Sequence, residues 1–273
     1  MGMMTNIFAP VGWTRAQQVE GARVWSKVLR QSDVDQSLTL YRLEPGASIP
    51  PHRSAFSKRV LVLDGVVEFA WYEHKAKTRS LVAGRGALVE RPAGRAPSWR
   101  SERGCTVLVA GDPPGAPAMT MDLTADERLD LADVFGPGGW YPTPNTDLKS
   151  NIPGVLNKPL YIESNTRKWP DMYMHRQGHS LYAVYFEPGA IYPMHPHPYA
   201  QQLLFLAGDM EDQIVEGPLP SVHPSTGSGR TEGMRSEMRE YVSTYSAGSF
   251  VDYPYPMRHA SFSKHGCWAI LGT

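Results

Sequence analysis

This chain carries one pattern twice. Ser37-Leu38 followed by Glu44-Pro45-Gly46 recurs as Ser180-Leu181 followed by Glu187-Pro188-Gly189, at an offset of 143 residues. Gly65 and Gly208 keep that offset, each just after an apolar run, Val60 to Leu63 or Leu203 to Leu206. Farther on the offset is 162, which relates Gly86 to Gly248, Pro92 to Pro254, Gly104 to Gly266 and Cys105 to Cys267. One insertion of 19 residues in the second copy accounts for the change, and the polar run around Pro224 to Glu237 has the composition of a surface loop. Two spacings separated by a single insertion are the mark of a duplicated unit, so the chain folds as two like domains.

Within each copy the apolar runs are four to eight residues long and bounded by Gly and Pro, as in Leu38 to Leu43 and Leu181 to Phe186. Gly and Pro together number 49, which fits many tight turns between short strands. The class is all-β, with strands closing a barrel or a sandwich. Between the copies, Thr124 to Phe135 predicts a helix. Thr124 and Glu127 form a capping box, and Leu129, Leu131, Val134 and Phe135 an apolar face. Gly136 to Pro144 follows as linker. The expected domains are 1–115 and 151–273, with 116–150 connecting them.

With 27 basic and 27 acidic residues the net charge is zero, which disfavours nucleic-acid binding because phosphate neutralisation calls for a basic excess. No apolar stretch reaches the length of a membrane span, and Met1 to Val11 lacks a basic region followed by an apolar run; the expected location is the cytoplasm. Two cysteines are too few for a disulfide framework or a thiolate zinc site.

Histidine spacing carries the chemistry. His195 and His197 stand two apart on an extended segment, so both imidazoles project from one face and can reach one ion, and His259 can add a third from another strand. The full pattern runs Gly189, five residues, His195-Pro196-His197, three residues, Gln201, six residues, Gly208, and later Gly248, five residues, Pro254, one residue, Pro256, two residues, His259. It resembles the two motifs of the cupin superfamily, with Gln201 at the usual glutamate and Pro256 at the usual glycine of the second motif. The first copy fits the same template in Gly46, His52, Gly65, Gly86, Pro92 and Gly94, but Ser54, Lys58 and Pro97 stand where ligands belong. The resemblance implies two tandem jelly-roll barrels, the N-terminal one degenerate with His52 as a relic of its site. The C-terminal barrel would hold one divalent transition metal through His195, His197, Gln201 and His259. Fe2+ is the favoured ion, with Zn2+, Ni2+ and Mn2+ as alternatives, and a homodimer is expected.

Three imidazoles and an amide leave such an ion its full charge, which favours anionic chelating oxygen ligands such as enolates. Tyr182, Val184, Phe186, Tyr192, Met194, Tyr199, Phe250, Tyr253, Tyr255, Met257 and Trp268 lie near the ligands in sequence and suit a small apolar or aromatic organic substrate with chelating oxygens. Tyr192, Tyr199 and Arg258 are the candidate catalytic residues. The second copy resembles acetylacetone- and dihydroxyacetophenone-cleaving cupins, which implies a non-haem iron dioxygenase acting on a dicarbonyl or hydroxyaryl ketone bound as its enolate. A zinc-type isomerase, cyclase or lyase is the second reading. The runs Ser101 to Cys105 and Ser263 to Cys267 also resemble the end of ChrR-like cupins, which implies a sensory role; no separate helical, Cys- or His-rich zinc domain accompanies them, and this reading stands third.

Overall fold

The structure is a computed structural model of the 273-residue chain and describes residues 4–16, 23–31, 37–51, 58–72, 78–91, 97–111, 132–145, 150–162, 180–197, 201–216, 239–253 and 257–272. All regular structure among them is β-strand, in two compact units, one of Phe8–Gly138 and one of Met1–Ile7 with Gly139–Thr273.

The first unit contains β2 (Thr14–Arg15), β3 (Val24–Arg30), β4 (Ser37–Leu43), β5 (Ala47–Ile49), β6 (Lys58–Tyr72), β7 (Thr78–Gly84), β8 (Ala87–Arg91), β9 (Ser98–Ser101), β10 (Cys105–Gly111) and β11 (Ala132–Asp133). The second contains β1 (Met4–Asn6), β12 (Tyr141–Asn145), β13 (Ser150–Ile162), β14 (Ser180–Phe186), β15 (Ile191–His197), β16 (Gln201–Glu216), β17 (Arg239–Ser246), β18 (Ser249–Tyr253), β19 (Met257–Phe262) and β20 (Cys267–Gly272). The first sheet runs β11-β8-β6-β10-β4-β3-β2 and the second β1-β18-β16-β20-β14-β13-β12. In each, the long strand, β6 or β16, continues past this order to pair with a hairpin partner, β7 or β17, and with β9 or β19, which in turn pairs β5 or β15. All pairings are antiparallel, and the long strands curl each sheet over a single apolar core.

The repeat survives residue by residue. Cys105 pairs with Leu43 and Gly65 in the first unit, and Cys267 with Phe186 and Gly208 in the second, at the two offsets found in the sequence. Gly65 and Gly208 have φ of +75° and +81°. A Cβ there would stand 2.2 Å from the Gly104 carbonyl oxygen or 1.9 Å from that of Gly266, so each strand crossing admits only glycine. The insertion lies in the β16–β17 connection, residues 217–238, outside the described residues; Glu216 and Arg239 on either side of it still pair.

The segment expected to be a helix and then a linker is different where it is described. Thr124 to Leu131 lie outside the described residues, whereas Ala132 and Asp133 form β11 against Leu88 and Ala87. Val134, fully buried, donates its amide to the Gly86 carbonyl, and the Phe135 amide is taken by Asp133 Oδ1. Edge pairing on an existing sheet satisfies these backbone groups and buries Val134 together, which outweighs helix propensity over four residues. Tyr141–Asn145, inside the expected linker, is β12 on the edge of the second sheet.

The two short leading strands are exchanged between the copies. Ile7-Phe8, Pro10 and Gly12-Trp13 recur as Val134-Phe135, Pro137 and Gly139-Trp140. The strand before the first copy, β1, closes the second sheet, with Ile7 donating to Gly248, while the strand before the second copy, β11, closes the first sheet, with Val134 donating to Gly86.

Candidate metal centre

The two candidate ligand histidines with described side chains meet across β15 and β19, where His195 lies opposite His259 with ring centroids 4.6 Å apart. Upstream, the β15 register shifts between Tyr192 and His195, so that two residues, Pro193 and Met194, face one residue of β19, Ala260. This bulge puts Tyr192, opposite Ser261, on the same face as His195, which a regular strand would forbid for residues three apart. The Tyr192 ring stacks on the His195 ring at 4.1 Å and 30°.

Each imidazole has Nδ1 engaged. His195 Nδ1 is 2.8 Å from the Pro193 carbonyl, which can only accept, so Nδ1 carries the proton and Nε2 the lone pair. His259 Nδ1 is 3.3 Å from Asp212 Oδ2, with the same consequence. Asp212, on β16, is fully buried, and its Oδ2 also accepts the Tyr253 hydroxyl. Burial pushes the Asp212 carboxyl up, but adjacent His259, with hydrogen bonds from His259, Ser261 and Tyr253, outweighs it and holds the group below the ordinary carboxylate range. The Tyr253 phenol is raised well above its usual range by burial first and by the Asp212 charge second, which keeps the hydroxyl protonated as a donor.

Gln201 opens β16 opposite Tyr253, on the face that carries Leu203 and Phe205 into the core. It is 4% exposed, and among the described residues its Oε1 has no hydrogen-bond partner. A buried amide oxygen without a donor is costly unless something absent from the chain satisfies it. A metal ion would do so. The residues therefore fit an ion: two imidazoles with lone pairs on Nε2 and one orphaned amide oxygen in the same barrel core.

His197 ends β15 opposite Met257, but its side chain, like all of Tyr199 and His52, lies outside the described residues. Among the described residues no three His, Cys, Asp or Glu side chains form a ligand cluster. Strand alternation places Arg258 on the face of β19 away from His259, half-exposed between buried Met257 and His259. Of the apolar residues expected around the ligands, Tyr182, Val184, Phe186, Tyr253 and Met257 are in the core, with Tyr192 packed against it. Met194 is half-buried and Tyr255 lies outside the described residues. Phe250 is buried outside that core cluster, and Trp268 packs instead with Trp140 and Tyr185. Asp212 was not expected from the sequence.

The first unit fills the equivalent space with hydrocarbon. At the offsets of the repeat, Asp212 corresponds to Phe69 and Ser261 to Trp99; each pair lies directly opposite in its own ladder. Phe69 and Trp99 meet edge to face at 5.4 Å, and Trp99 is 2% exposed. Lys58 stands at the position of Gln201.

No protein-family model matches the chain, and no curated protein matches it. Solved structures do. Oxalate decarboxylase from Bacillus subtilis at pH 4.6 is 16% identical over 99% of this chain and 75% of that one, with a TM-score of 0.55. The formate complex of oxalate decarboxylase from Lactobacillus farciminis is 15% identical over 93% of this chain and 82% of that one, with a TM-score of 0.54. A further structure of the Bacillus subtilis enzyme, 16% identical with a TM-score of 0.55, concerns its Mn(II) centres. At such identities the likeness is one of fold alone: with two sheets of the same strand order along one chain, this protein has the tandem two-barrel fold of those structures.

Proposed function

We propose that the C-terminal barrel is the active site of a metal-dependent enzyme, in which His195, His197, Gln201 and His259 hold one divalent transition metal. The observation that carries this reading is the buried Gln201 oxygen, without a partner among the described residues, on the barrel that also holds two imidazoles whose Nδ1 protons are already committed. A bound ion would supply Lewis acidity toward a carbonyl or enolate oxygen, and a redox-active one would also open dioxygen chemistry. The chain does the rest. Tyr192 walls one side of His195, while His259 and Gln201 are buried. With only neutral ligands, an anionic substrate that chelates through two oxygens supplies the compensating charge.

The first reading of the reaction is oxidative cleavage of a carbon–carbon bond in a dicarbonyl or hydroxyaryl ketone, with iron as the ion. The second is redox-neutral lyase chemistry on a small carbonyl acid; the oxalate decarboxylases among the similar folds, one studied for its Mn(II) centres, favour it. Both break a bond beside a carbonyl carbon. The test is metal analysis of protein purified without chelating resin, followed by turnover of 1,3-dicarbonyls, hydroxyaryl ketones and small dicarboxylates, with oxygen uptake and carbon dioxide release measured in parallel. Iron with substrate-dependent oxygen uptake supports the first reading. Carbon dioxide release without oxygen consumption supports the second, and a chain that retains no transition metal refutes both.

A further inference from the structure

We infer that Asp212 is the positioning residue of the metal centre: its carboxylate, one step behind His259, fixes that imidazole with Nδ1 protonated and Nε2 turned to the ion, and supplies the negative charge that Gln201 leaves out. The inference rests on the metal-site reading of His195, Gln201 and His259. Three observations support it. Asp212 is fully buried on the inward face of β16, between Met210 and Ile214, where a carboxylate has no packing advantage and a large desolvation cost. Its Oδ2 gathers His259 Nδ1 and the Tyr253 hydroxyl, so the imidazole is held against a group that is itself held. The degenerate barrel, which has the same scaffold but lacks the ligands, carries Phe69 at this position against Trp99.

A charge behind a ligating histidine raises the basicity of Nε2 and orients the ring, and removing such a partner characteristically weakens metal binding by about 10- to 100-fold. Gln201 contributes no charge to the ion, so Asp212 is the described carboxylate nearest the ligand set through a hydrogen bond, and the two positions are expected to be coupled.

The test uses the full-length chain as wild type, D212N, Y253F, Q201E and D212N/Q201E, each stripped of metal and titrated with Mn2+ against a competing chelator. The expected result is about a tenfold or greater loss of Mn2+ affinity in D212N. Y253F, which leaves the carboxylate with one donor fewer, should lose roughly threefold. Q201E should restore affinity in the D212N background by a larger factor than any gain it gives the wild type, because a carboxylate placed on the ion replaces the one removed behind it. Nitrogen NMR of histidine-labelled, metal-free protein gives a second readout: His259 is protonated at Nδ1 in the wild type and loses that preference in D212L, a further variant for this measurement, which leaves no acceptor behind the ring. Affinity of D212N within threefold of wild type, no excess rescue by Q201E, or an unchanged His259 tautomer overturns the proposal. If wild type binds no Mn2+ or other divalent ion, the metal-site reading fails and the tautomer comparison alone decides the role of Asp212. If D212N does not fold, Y253F decides: unchanged Mn2+ affinity there overturns the network.

Discussion

Gly208 and Gly189 offer a matched pair for testing how the barrel that carries the candidate site is held. Both have left-handed backbones, with φ of +81° and +83°. An alanine at either position carries the same conformational penalty, about 1–2 kcal/mol. They differ in what the new methyl meets. At Gly189 nothing lies within 4 Å. At Gly208 the Cβ would stand 1.9 Å from the Gly266 carbonyl oxygen and 2.7 Å from Cys267 Cα, backbone at the entry to β20. The strands must part by more than about 1 Å, which breaks the pairing of Gly208 with Cys267 and leaves buried polar groups unsatisfied at about 1–3 kcal/mol each. Gly208→Ala should therefore cost about 3–5 kcal/mol and Gly189→Ala about 1–2 kcal/mol, read by urea unfolding of the full-length chain followed by circular dichroism. β16 carries Gln201 on one side of Gly208 and Asp212 on the other, so Gly208→Ala should also reduce metal retention while Gly189→Ala should not. Equal destabilisation by the two substitutions would refute the steric account of this crossing.

Metal analysis should give one ion per chain, since Lys58, Phe69 and Trp99 occupy the corresponding positions of the first barrel; two ions per chain would contradict this. His195→Ala and His259→Ala should both abolish metal binding, but His259→Ala should cost about 1–3 kcal/mol more stability because it strips a partner from buried Asp212, a difference that denaturation of the metal-free proteins measures. Gln201→Glu should hold the ion at least as tightly as wild type while raising KM for an anionic chelating substrate; unchanged metal affinity and KM would remove Gln201 from the site. Burial pushes the Cys105 thiol up and the Cys267 thiol up to about 12, so neither should be alkylated at pH 8 before the chain unfolds, as mass spectrometry of iodoacetamide-treated protein can show.

The duplication and its all-β class were legible because they rest on residues with few substitutes. Gly65 and Gly208 are required by a backbone crossing, and the cysteines beside Gly104 and Gly266 pair across that same crossing, so the offsets of 143 and 162 are structural spacings. The end of the expected helix failed for a complementary reason. Leu129, Leu131, Val134 and Phe135 form an apolar face at helical spacing, yet Val134 and Phe135 also match Ile7 and Phe8, and that match, at a third offset of 127, places them beside an exchanged edge strand. Periodicity within twelve residues cannot register a partner more than forty positions away, whereas comparison of the copies can.

The same comparison governs how far the site could be read. Spacing singles out His195, His259 and Gln201 as candidates, and the structure adds what spacing cannot contain: a bulge that brings Tyr192 onto the His195 face, and alternation that turns Arg258 away from His259. Asp212 carries no such spacing, and within the acidic stretch Asp209 to Asp212 it has the look of a solvated strand edge. Set against its partner at the offset of 143 it looks different, since Phe69 shows that this position points into a core. An ionisable group facing inward in one copy, where the other copy buries an aromatic ring, has no packing reason to exist. On the proposed metal site its cost is offset by a task the other barrel lacks, and the hydrogen bond to His259 ties that task to a candidate ligand.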